Sequence, residues 1–326
     1  MEERAEAVVS SIDVEVLIVG GGPVGLTARA LLERWGVSSM LVDKRSGLSP
    51  FPRSRLVNVR TMEIFRQLGL AGQIEARAFR PDHGRIRFSD TLADPDFATQ
   101  EMVGVGSGVA ESPVMGVVSS QDRLEPILMG AARAELRFGV ELVGLDEEPD
   151  GVSAALVDHA RTAPLSQRSS SASQWCGERF TVTAGYVLGT DGASSTVREL
   201  LGIGTRGPGP VATFTTVVFD ADLDRWCAHR PAGVYFTAQG MFAPLYPEGG
   251  WAWFVPTPQG AEGTDWHELV TRALGPADVD VEVLRVQQWT MNAFVAERFR
   301  AGRVLLAGDA AHAIPIAGGL GMNVGI

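Results

Sequence analysis

The sequence predicts an α/β fold: a Rossmann-like dinucleotide-binding domain with a parallel-sheet core, combined with an antiparallel β-sheet domain. Three observations support this prediction. The chain opens with a strand, a glycine-rich turn and a helix; a segment of alternating apolar strands with Pro/Gly turns begins near residue 208; and a buried strand near the end returns to the first domain. At 326 residues and 45% hydrophobic, the chain is long enough to bury two cores.

The elements follow from hydrophobic periodicity and from the positions of glycine and proline. We expect strands at Val14–Val19, Ser39–Val42, Val140–Leu145, Val152–Val157, Phe180–Leu188 and Arg303–Ala307, and helices at Pro23–Trp35, Thr61–Leu70, Gln121–Phe138 and Ser195–Leu201. Residues 159–174 are rich in Ser and Arg and predict an exposed hairpin tip. The predicted domains are 1–207, an antiparallel layer over 208–290, and a return to the first domain over 291–326.

Composition excludes several classes of function. The formal net charge of -11 argues against nucleic acid as a partner, because phosphate binding needs clustered Lys and Arg. Cys176 and Cys227 are too few for a disulfide framework and lack metal-ligand spacing, so we expect no metal. Met1–Ser11 has no apolar core of a secretion signal, and no apolar run is long enough to span a membrane. We therefore expect a cytoplasmic protein, with its oligomeric state open.

The first motif is the glycine turn after the opening strand. Gly20, Gly22 and Gly25 have the GxGxxG spacing, and Asp43 ends the next strand 18 residues after Gly25. In this context the glycines allow a tight turn, a close approach of the pyrophosphate and helix packing, while the acid binds ribose hydroxyls. Because the acid disfavours a 2′-phosphate, the predicted nucleotide is FAD or NAD and not NADP.

Two later motifs lie at predicted strand ends: Gly189-Thr190-Asp191-Gly192 and Gly308-Asp309-Ala310-Ala311-His312. In order and spacing, the three motifs resemble those of the para-hydroxybenzoate hydroxylase family, the single-component aromatic FAD monooxygenases, in particular its polyketide hydroxylases. The resemblance covers nearly the whole chain. It implies that the first domain binds FAD and that the antiparallel layer is the substrate domain.

The resemblance also implies roles for single residues. Asp43 would hold the adenosine ribose, Asp309 the ribityl chain, and Arg53 would approach the flavin. Asp191 and Gly192 match the turn that the family uses for both FAD and NAD(P)H.

Further roles are implied with alternatives. Gln121 would touch the ribityl chain or pyrophosphate, or else cap a helix. Arg55 would help seat the nicotinamide, or else be a solvated surface charge. We expect His312 to be a structural hydrogen-bond partner more than a base.

The stretch Pro315–Ile326 resembles the family loop that runs under the flavin ring, with Gly318, Gly319, Gly321 and Asn323 at the expected positions. Its backbone N–H groups would face the flavin where negative charge develops on reduction. Ile316 stands where the family usually has a second proline, so we expect a less rigid loop.

The predicted reaction is hydroxylation of a phenolic or polycyclic, polyketide-like substrate, with NAD(P)H as transient reductant and O2, through a flavin C4a-hydroperoxide. No catalytic acid or base is predicted, because the cofactor supplies the hard chemistry. Large apolar side chains of the antiparallel layer are the candidates to line the substrate pocket: Phe242, Trp251, Trp253, Phe254 and Trp289.

Three alternatives stay open. Gly250–Pro256 resembles a signature of flavin-dependent halogenases, but these need a lysine near the substrate, and the only lysine, Lys44, follows Asp43. A Baeyer–Villiger oxygenase or an epoxidase of the same family is a second alternative. The third is a catalytically incomplete FAD-binding fragment, because the chain stops at Ile326, where the family's next helix would begin.

Overall fold

The structure is a computed structural model that describes residues 11–162, 177–258, 260, 263–275, 278–315 and 317–326. Most of the predicted hairpin tip, Ile316, Cys176 and the first ten residues lie outside the described residues. Among the residues that are described, no helix is long and apolar enough to cross a membrane.

The described parts of the chain contain 18 strands and eight α-helices. The strands are β1 Ser11–Val19, β2 Ser39–Asp43, β3 Leu56–Val57, β4 Arg85–Phe88, β5 Ala98–Glu101, β6 Val117–Val118, β7 Glu135–Phe138, β8 Val140–Glu147, β9 Val152–Thr162, β10 Gly177–Gly189, β11 Thr205–Asp220, β12 Val234–Thr237, β13 Gly240–Tyr246, β14 Gly249–Pro256, β15 Glu282–Ala296, β16 Arg300–Ala301, β17 Val304–Leu306 and β18 His312–Ala313. The helices are α1 Pro23–Arg34, α2 Val59–Gln67, α3 Ala71–Glu75, α4 Gln121–Gly130, α5 Thr196–Leu200, α6 Asp224–Cys227, α7 Trp266–Leu274 and α8 Leu320–Gly325.

The first sheet has the order β16-β17-β10-β1-β2-β7, and β17, β10, β1, β2 and β7 run parallel. The hairpin of β8 and β9 joins it by antiparallel pairing of β9 with β10. Buried side chains of α1, α2 and α4 pack against one face of the sheet, and those of the hairpin against the other. Because both faces are covered, β2 is buried along its whole length, as expected for a central parallel strand.

The second sheet has the order β18-β15-β11-β14-β13-β12-β4-β5 and is antiparallel except for the pair β12 and β4. Helix α7 covers one face through Val270, Ala273 and Leu274. Strands β4 and β5 come from the chain before residue 102, so the first domain contributes two strands to the edge of the substrate sheet.

One predicted helix was too long. The sequence predicts a helix over Gln121–Phe138, whereas α4 ends at Gly130 and Glu135–Phe138 forms β7. Strand β7 pairs with β2 at the edge of the parallel sheet, so tertiary pairing overrides the apolar periodicity of this segment. The chain between them is held by Arg29 of α1, which donates to the carbonyls of Met129 and Ala132, each at 2.9 Å.

Candidate cofactor and substrate site

The sequence motifs meet at one edge of the first sheet. The carboxyl ends of parallel strands lie at the same edge of a sheet. At this edge the glycine turn follows β1, and Asp43 is the last residue of β2. Asp191 follows β10 and Asp309 follows β17 at the same edge. Ligands of α/β sheets bind in the crevice outside these carboxyl ends. Thr190 ties two of the loops together, because its hydroxyl donates to the Gly20 carbonyl at 2.9 Å.

The three fingerprint glycines have different surroundings. A Cβ on Gly20 would lie 2.4 Å from the Thr190 carbonyl oxygen, and one on Gly25 would lie 1.9 Å from the Gly20 oxygen. A Cβ on Gly22 would meet no atom within 4 Å, although Gly22 directly precedes α1. Two glycines are therefore required by packing, and the third leaves open space where a pyrophosphate would approach the helix N-terminus.

Asp43, the last residue of β2, contacts the glycine turn through its side chain. Its carboxylate accepts the Gly21 amide at 2.6 Å and the Arg45 guanidinium at 2.7 and 3.0 Å. Burial alone would raise the pKa of Asp43, but the hydrogen bonds from Arg45 and Gly21 outweigh it and hold that pKa below its ordinary value. The acid is thus ionised, as ribose binding requires, and a ribose would share or displace the Arg45 contact.

The second motif is connected to the rest of the site through α5. The Asp191 carboxylate accepts the Val197 amide at 3.0 Å and the Ser195 hydroxyl, so it stabilises the start of this helix. Arg198 of α5 donates to the Ala310 carbonyl at 3.0 Å and thereby joins this turn to the third motif. Gly192 has a φ of +84°, and a Cβ at this position would meet no atom within 4 Å. Direct contact of Asp191 and Gly192 with a nucleotide remains a prediction.

Asp309 is the accessible acid of the site. Its side chain is exposed, in contrast to the flanking Gly308 and Ala310. Burial by the surrounding protein nevertheless raises the pKa of Asp309, and the charges of His312 and Arg53 oppose that rise. The structure therefore brings Arg53 and His312 into electrostatic range of Asp309, and the roles of Asp309 and Arg53 towards the flavin remain predictions. Nδ1 of His312 is buried without a partner among the described residues.

Gln121 belongs to a buried polar network at the start of α4. Its Nε2 donates to Glu125 at 2.7 Å, and its Oε1 accepts the Ser54 amide at 3.3 Å. Glu125 is fully buried and also accepts the Ser49 amide at 3.1 Å. Ser120, and not Gln121, is the N-cap residue of α4, so the capping alternative for Gln121 was wrong. Glu125 was not among the predicted site residues, although its spacing of four residues from Gln121 on a predicted helix was a usable signal.

The glycine loop before α8 is held by Asn323. The Asn323 amide donates to the carbonyls of Leu56 and Gly319 at 2.8 and 2.7 Å, and its oxygen accepts the Asn58 amide at 2.9 Å. Gly319 has a φ of +63° and packs against Leu56, whereas Gly321 has open space beside it. Asn323 therefore fixes the loop on β3, and contact of the loop with flavin remains a prediction.

The predicted pocket residues are divided between the two faces of the second sheet. Phe242, Trp251 and Trp253 are buried in the core that α7 covers. The structure accounts for these three side chains as core residues, and we retain only Phe254 and Trp289 as pocket candidates. Alternation along a strand puts Phe254 on the face opposite Trp253.

That opposite face is directed towards the first domain. Phe254 pairs with Thr216, and the Trp289 indole N–H donates to the Thr216 hydroxyl at 3.0 Å. Arg285 lies four residues before Trp289 on the same face of β15, donates to the Pro50 carbonyl and lies 5.1 Å from the Phe51 ring. The face with Phe254 and Trp289 is therefore directed towards the loop that contains Arg53.

Arg55 is a half-buried residue of the domain junction, and the Nε and Nη2 atoms of its guanidinium are buried. Its Nη1 donates to the Gly233 carbonyl, at the start of β12, at 2.8 Å. Burial lowers the pKa of Arg55 to about 10, and the neighbouring Tyr246 and Asp122 oppose that lowering. The alternative of a solvated surface charge was wrong, because two guanidinium nitrogens of Arg55 are buried and its guanidinium carbon lies 5.8 Å from the Phe79 ring centroid.

The residues present fit a bound FAD. Gly22 leaves room for the pyrophosphate, the pKa of Asp43 is lowered so that its carboxylate is ionised, and Asp309 presents an accessible acid. The polar network of Gln121 holds Ser54, which directly follows Arg53 in the chain.

Comparison with known proteins agrees with this fit. Residues 13–326 match the family model described as FAD binding domain. The chain is 33% identical to 2,4-dichlorophenol 6-monooxygenase of Cupriavidus pinatubonensis, over 97% of this chain and 54% of that protein. It is 34% identical to aklavinone 12-hydroxylase RdmE of Streptomyces purpurascens, over 96% of this chain and 60% of that protein. The chain thus spans about half to three fifths of the length of these relatives.

A solved structure shows the same fold. The flavin-dependent monooxygenase PieE, in complex with FAD and substrate, superposes with a TM-score of 0.85 at 36% identity, over 96% of this chain and 55% of that one. The match of the family model, the convergence of the three motifs and this superposition agree: the chain belongs to the FAD-binding domain family and has the para-hydroxybenzoate hydroxylase-like fold.

Proposed function

We propose that this chain is the FAD- and substrate-binding part of an NAD(P)H- and O2-dependent monooxygenase that hydroxylates a phenolic or polycyclic aromatic substrate. The observation that carries the proposal is the placement of one aromatic sheet face, with Phe254 and Trp289, opposite the crevice where the three motifs converge. The two relatives, by their names, are a monooxygenase of a chlorinated phenol and a hydroxylase of aklavinone.

FAD, when bound, accepts hydride from the nicotinamide and activates oxygen. The residues of this chain have the remaining tasks. Asp43 would bind the adenosine ribose and Asp309 the ribityl chain, while Arg53, Gln121 and the loop fixed by Asn323 would orient the ring system. The aromatic sheet face would hold the substrate ring and exclude water from the reacting atoms.

We infer a flat, electron-rich substrate of the polyketide type, because the retained pocket candidates are aromatic. Phe214 stacks on Trp289 with ring centroids 5.2 Å apart, and Phe88 stacks on Phe236 at 5.3 Å, both in the substrate sheet. Such surfaces favour ring stacking over recognition of a compact polar ligand. We also propose a cytoplasmic location, since the chain has two cysteines and would meet its reductant there.

The halogenase alternative is disfavoured by the position of the only lysine. Lys44 is exposed and directly follows Asp43, at the ribose end of the crevice. The chain therefore offers no lysine beside the aromatic sheet face for the relay that a halogenase needs.

The test is NAD(P)H oxidation in air by the FAD-loaded chain, with and without a panel of phenols and hydroxyanthraquinones, followed by mass analysis of the products. We expect substrate-stimulated oxidation and a product with one added oxygen on the ring. Bound FAD without any oxygenated product would reject the enzyme and favour a binding fragment. A ring-expanded ester or an epoxide would assign the chain to the other oxygenase classes.

A further inference from the structure

The segment 49–54, here called the arginine loop because it contains Arg53, is attached to α4 at both of its ends. At one end the Ser49 amide donates to Glu125 at 3.1 Å. At the other end, the Ser54 backbone N–H donates to the side-chain Oε1 of Gln121 at 3.3 Å, and the Gln121 backbone N–H donates to the Ser54 carbonyl at 2.9 Å. The position of Arg53 therefore depends on two side chains of one helix.

These two side chains are themselves connected. Gln121 and Glu125 are one helical turn apart, and Gln121 Nε2 donates to Glu125 Oε1 at 2.7 Å. This bond leaves Gln121 Oε1 free to accept from Ser54, so Glu125 determines which way the Gln121 amide is turned. Both oxygens of Glu125 thus act as acceptors, one for the loop and one for Gln121.

Burying a carboxylate completely costs free energy unless hydrogen bonds or opposite charges offset the hydration that it loses. We propose that Glu125 is a positioning residue for FAD: in its ionised form it fixes the arginine loop and the Gln121 amide in the geometry that binds the cofactor. Only the ionised form offers two full acceptors to the two N–H donors, because a protonated carboxyl converts one acceptor into a donor.

The electrostatic surroundings make this state switchable. Burial raises the pKa of Glu125, while the hydrogen bonds from Gln121 and Ser49 and the charges of Arg45 and Arg53 oppose the rise. These two arginines are the charged groups that face Glu125 from the segment packed against α4. Protonation in acid would release one of the two contacts and loosen the arginine loop.

The test is the dissociation constant of FAD, measured by flavin fluorescence between pH 5 and 8 for the full chain and for Glu125→Gln. A glutamine mimics the protonated acid, because it offers one acceptor and one donor. Near pH 8 we expect the variant to bind FAD about tenfold more weakly than the wild type, the effect of one charge-assisted hydrogen bond. The dissociation constant of the variant divided by that of the wild type should fall towards 1 in acid, where Glu125 of the wild type is also no longer ionised.

The pKa of Asp309 is also raised by burial, but Asp309 is present in both proteins, so its contribution cancels in the ratio. Glu248→Gln is the matched control, since Glu248 pairs with Arg123 of the same helix but is exposed and does not contact the arginine loop. A ratio that is constant across the pH range would show a merely structural role and would overturn the proposal, as would a ratio of 1 throughout. If the variant does not fold, an FAD affinity of the wild type that is independent of pH would be equally decisive against it.

Discussion

Two acids of the cofactor crevice have their pKa values raised, and they differ in exposure. Glu125 is fully buried, whereas the Asp309 side chain is exposed. In both, burial by the surrounding protein is the main cause of the rise, opposed by nearby arginine or histidine. A raised pKa means that the surrounding protein disfavours the ionised form of the acid. Acids with raised pKa values are common at ligand-binding sites.

We expect Asp309→Asn to weaken FAD binding about tenfold or more, because the ribityl chain would lose a charged hydrogen-bond acceptor. The variant removes no core side chain, so the melting temperature of the apoprotein should be unchanged or slightly higher. Fluorescence titration with FAD and a thermal melt measure the two effects, and Asp220→Asn on an exposed strand end is the control. Unchanged FAD affinity would contradict the ribityl assignment.

Glu125→Gln should also change the dependence of apoprotein stability on pH. Because the pKa of Glu125 is raised in the folded chain, its favourable contribution is complete below pH 4.5, its ordinary value, and is lost as pH rises through the folded value. The stability of the wild type relative to the variant should therefore fall with rising pH. Urea unfolding at several pH values measures this difference, and a difference that rises with pH would refute the assignment of a raised pKa.

At the scale of elements, the turn between β1 and α1 separates packing from ligand binding. Gly25→Ala would place a methyl group 1.9 Å from the Gly20 oxygen, so β1 and α1 must move apart. We expect it to lower the free energy of unfolding by about 1–3 kcal/mol or more, the usual cost of overpacking.

Gly22→Ala is the matched variant in the same turn. Its methyl group would meet no protein atom within 4 Å, and the backbone at Gly22 has a φ of -80°, which alanine adopts without strain. We therefore expect wild-type stability but strongly weakened FAD binding, because the methyl group occupies the pyrophosphate approach. Calorimetry and FAD titration of both variants check the contrast, and normal FAD binding by Gly22→Ala would mean that the pyrophosphate lies elsewhere.

At the scale of the whole molecule, the second sheet is attached to α4 through its β13–β14 turn. The Tyr246 hydroxyl donates to Asp122 at 2.6 Å, and the Arg123 guanidinium lies 4.3 Å from the Tyr246 ring centroid. Arg55 and Arg285 make further hydrogen bonds across the same junction. The junction determines the distance between the aromatic sheet face and the cofactor crevice.

Tyr246→Phe should lower the free energy of unfolding by about 1 kcal/mol at neutral pH, through the loss of one hydrogen bond. Burial, followed by the hydrogen bond to Asp122, raises the pKa of Tyr246 from 10 to about 12. Its contribution is therefore complete below pH 10 and is lost as pH rises through about 12. Denaturation of both proteins at neutral and alkaline pH tests this prediction. If the difference in free energy of unfolding does not shrink at alkaline pH, the Tyr246 hydroxyl is not its source.

Much of the cofactor domain was determined by the sequence itself. The glycine spacing, the acid after β2 and the two later turns predicted a shared crevice, because parallel strands must end at one edge of the sheet. The pairing of β1, β2, β10 and β17 confirms the fold class on which that prediction depends. Local chemistry was sufficient here, since each motif combines a strand end, a turn and an acid within a short stretch of the chain.

Only the tertiary structure decided which side chains face the crevice and which are core. From the alternation of side chains along β14, either face of the strand could have faced the crevice. The packing of α7 decided between them, because it buries Trp251 and Trp253 in the core. In the same way, Glu135–Phe138 formed a strand through pairing with β2, and the Arg55 guanidinium became largely buried at its contact with Gly233. The physical reason is common to all three: burial and pairing depend on partners that are distant in the chain, which no local pattern encodes.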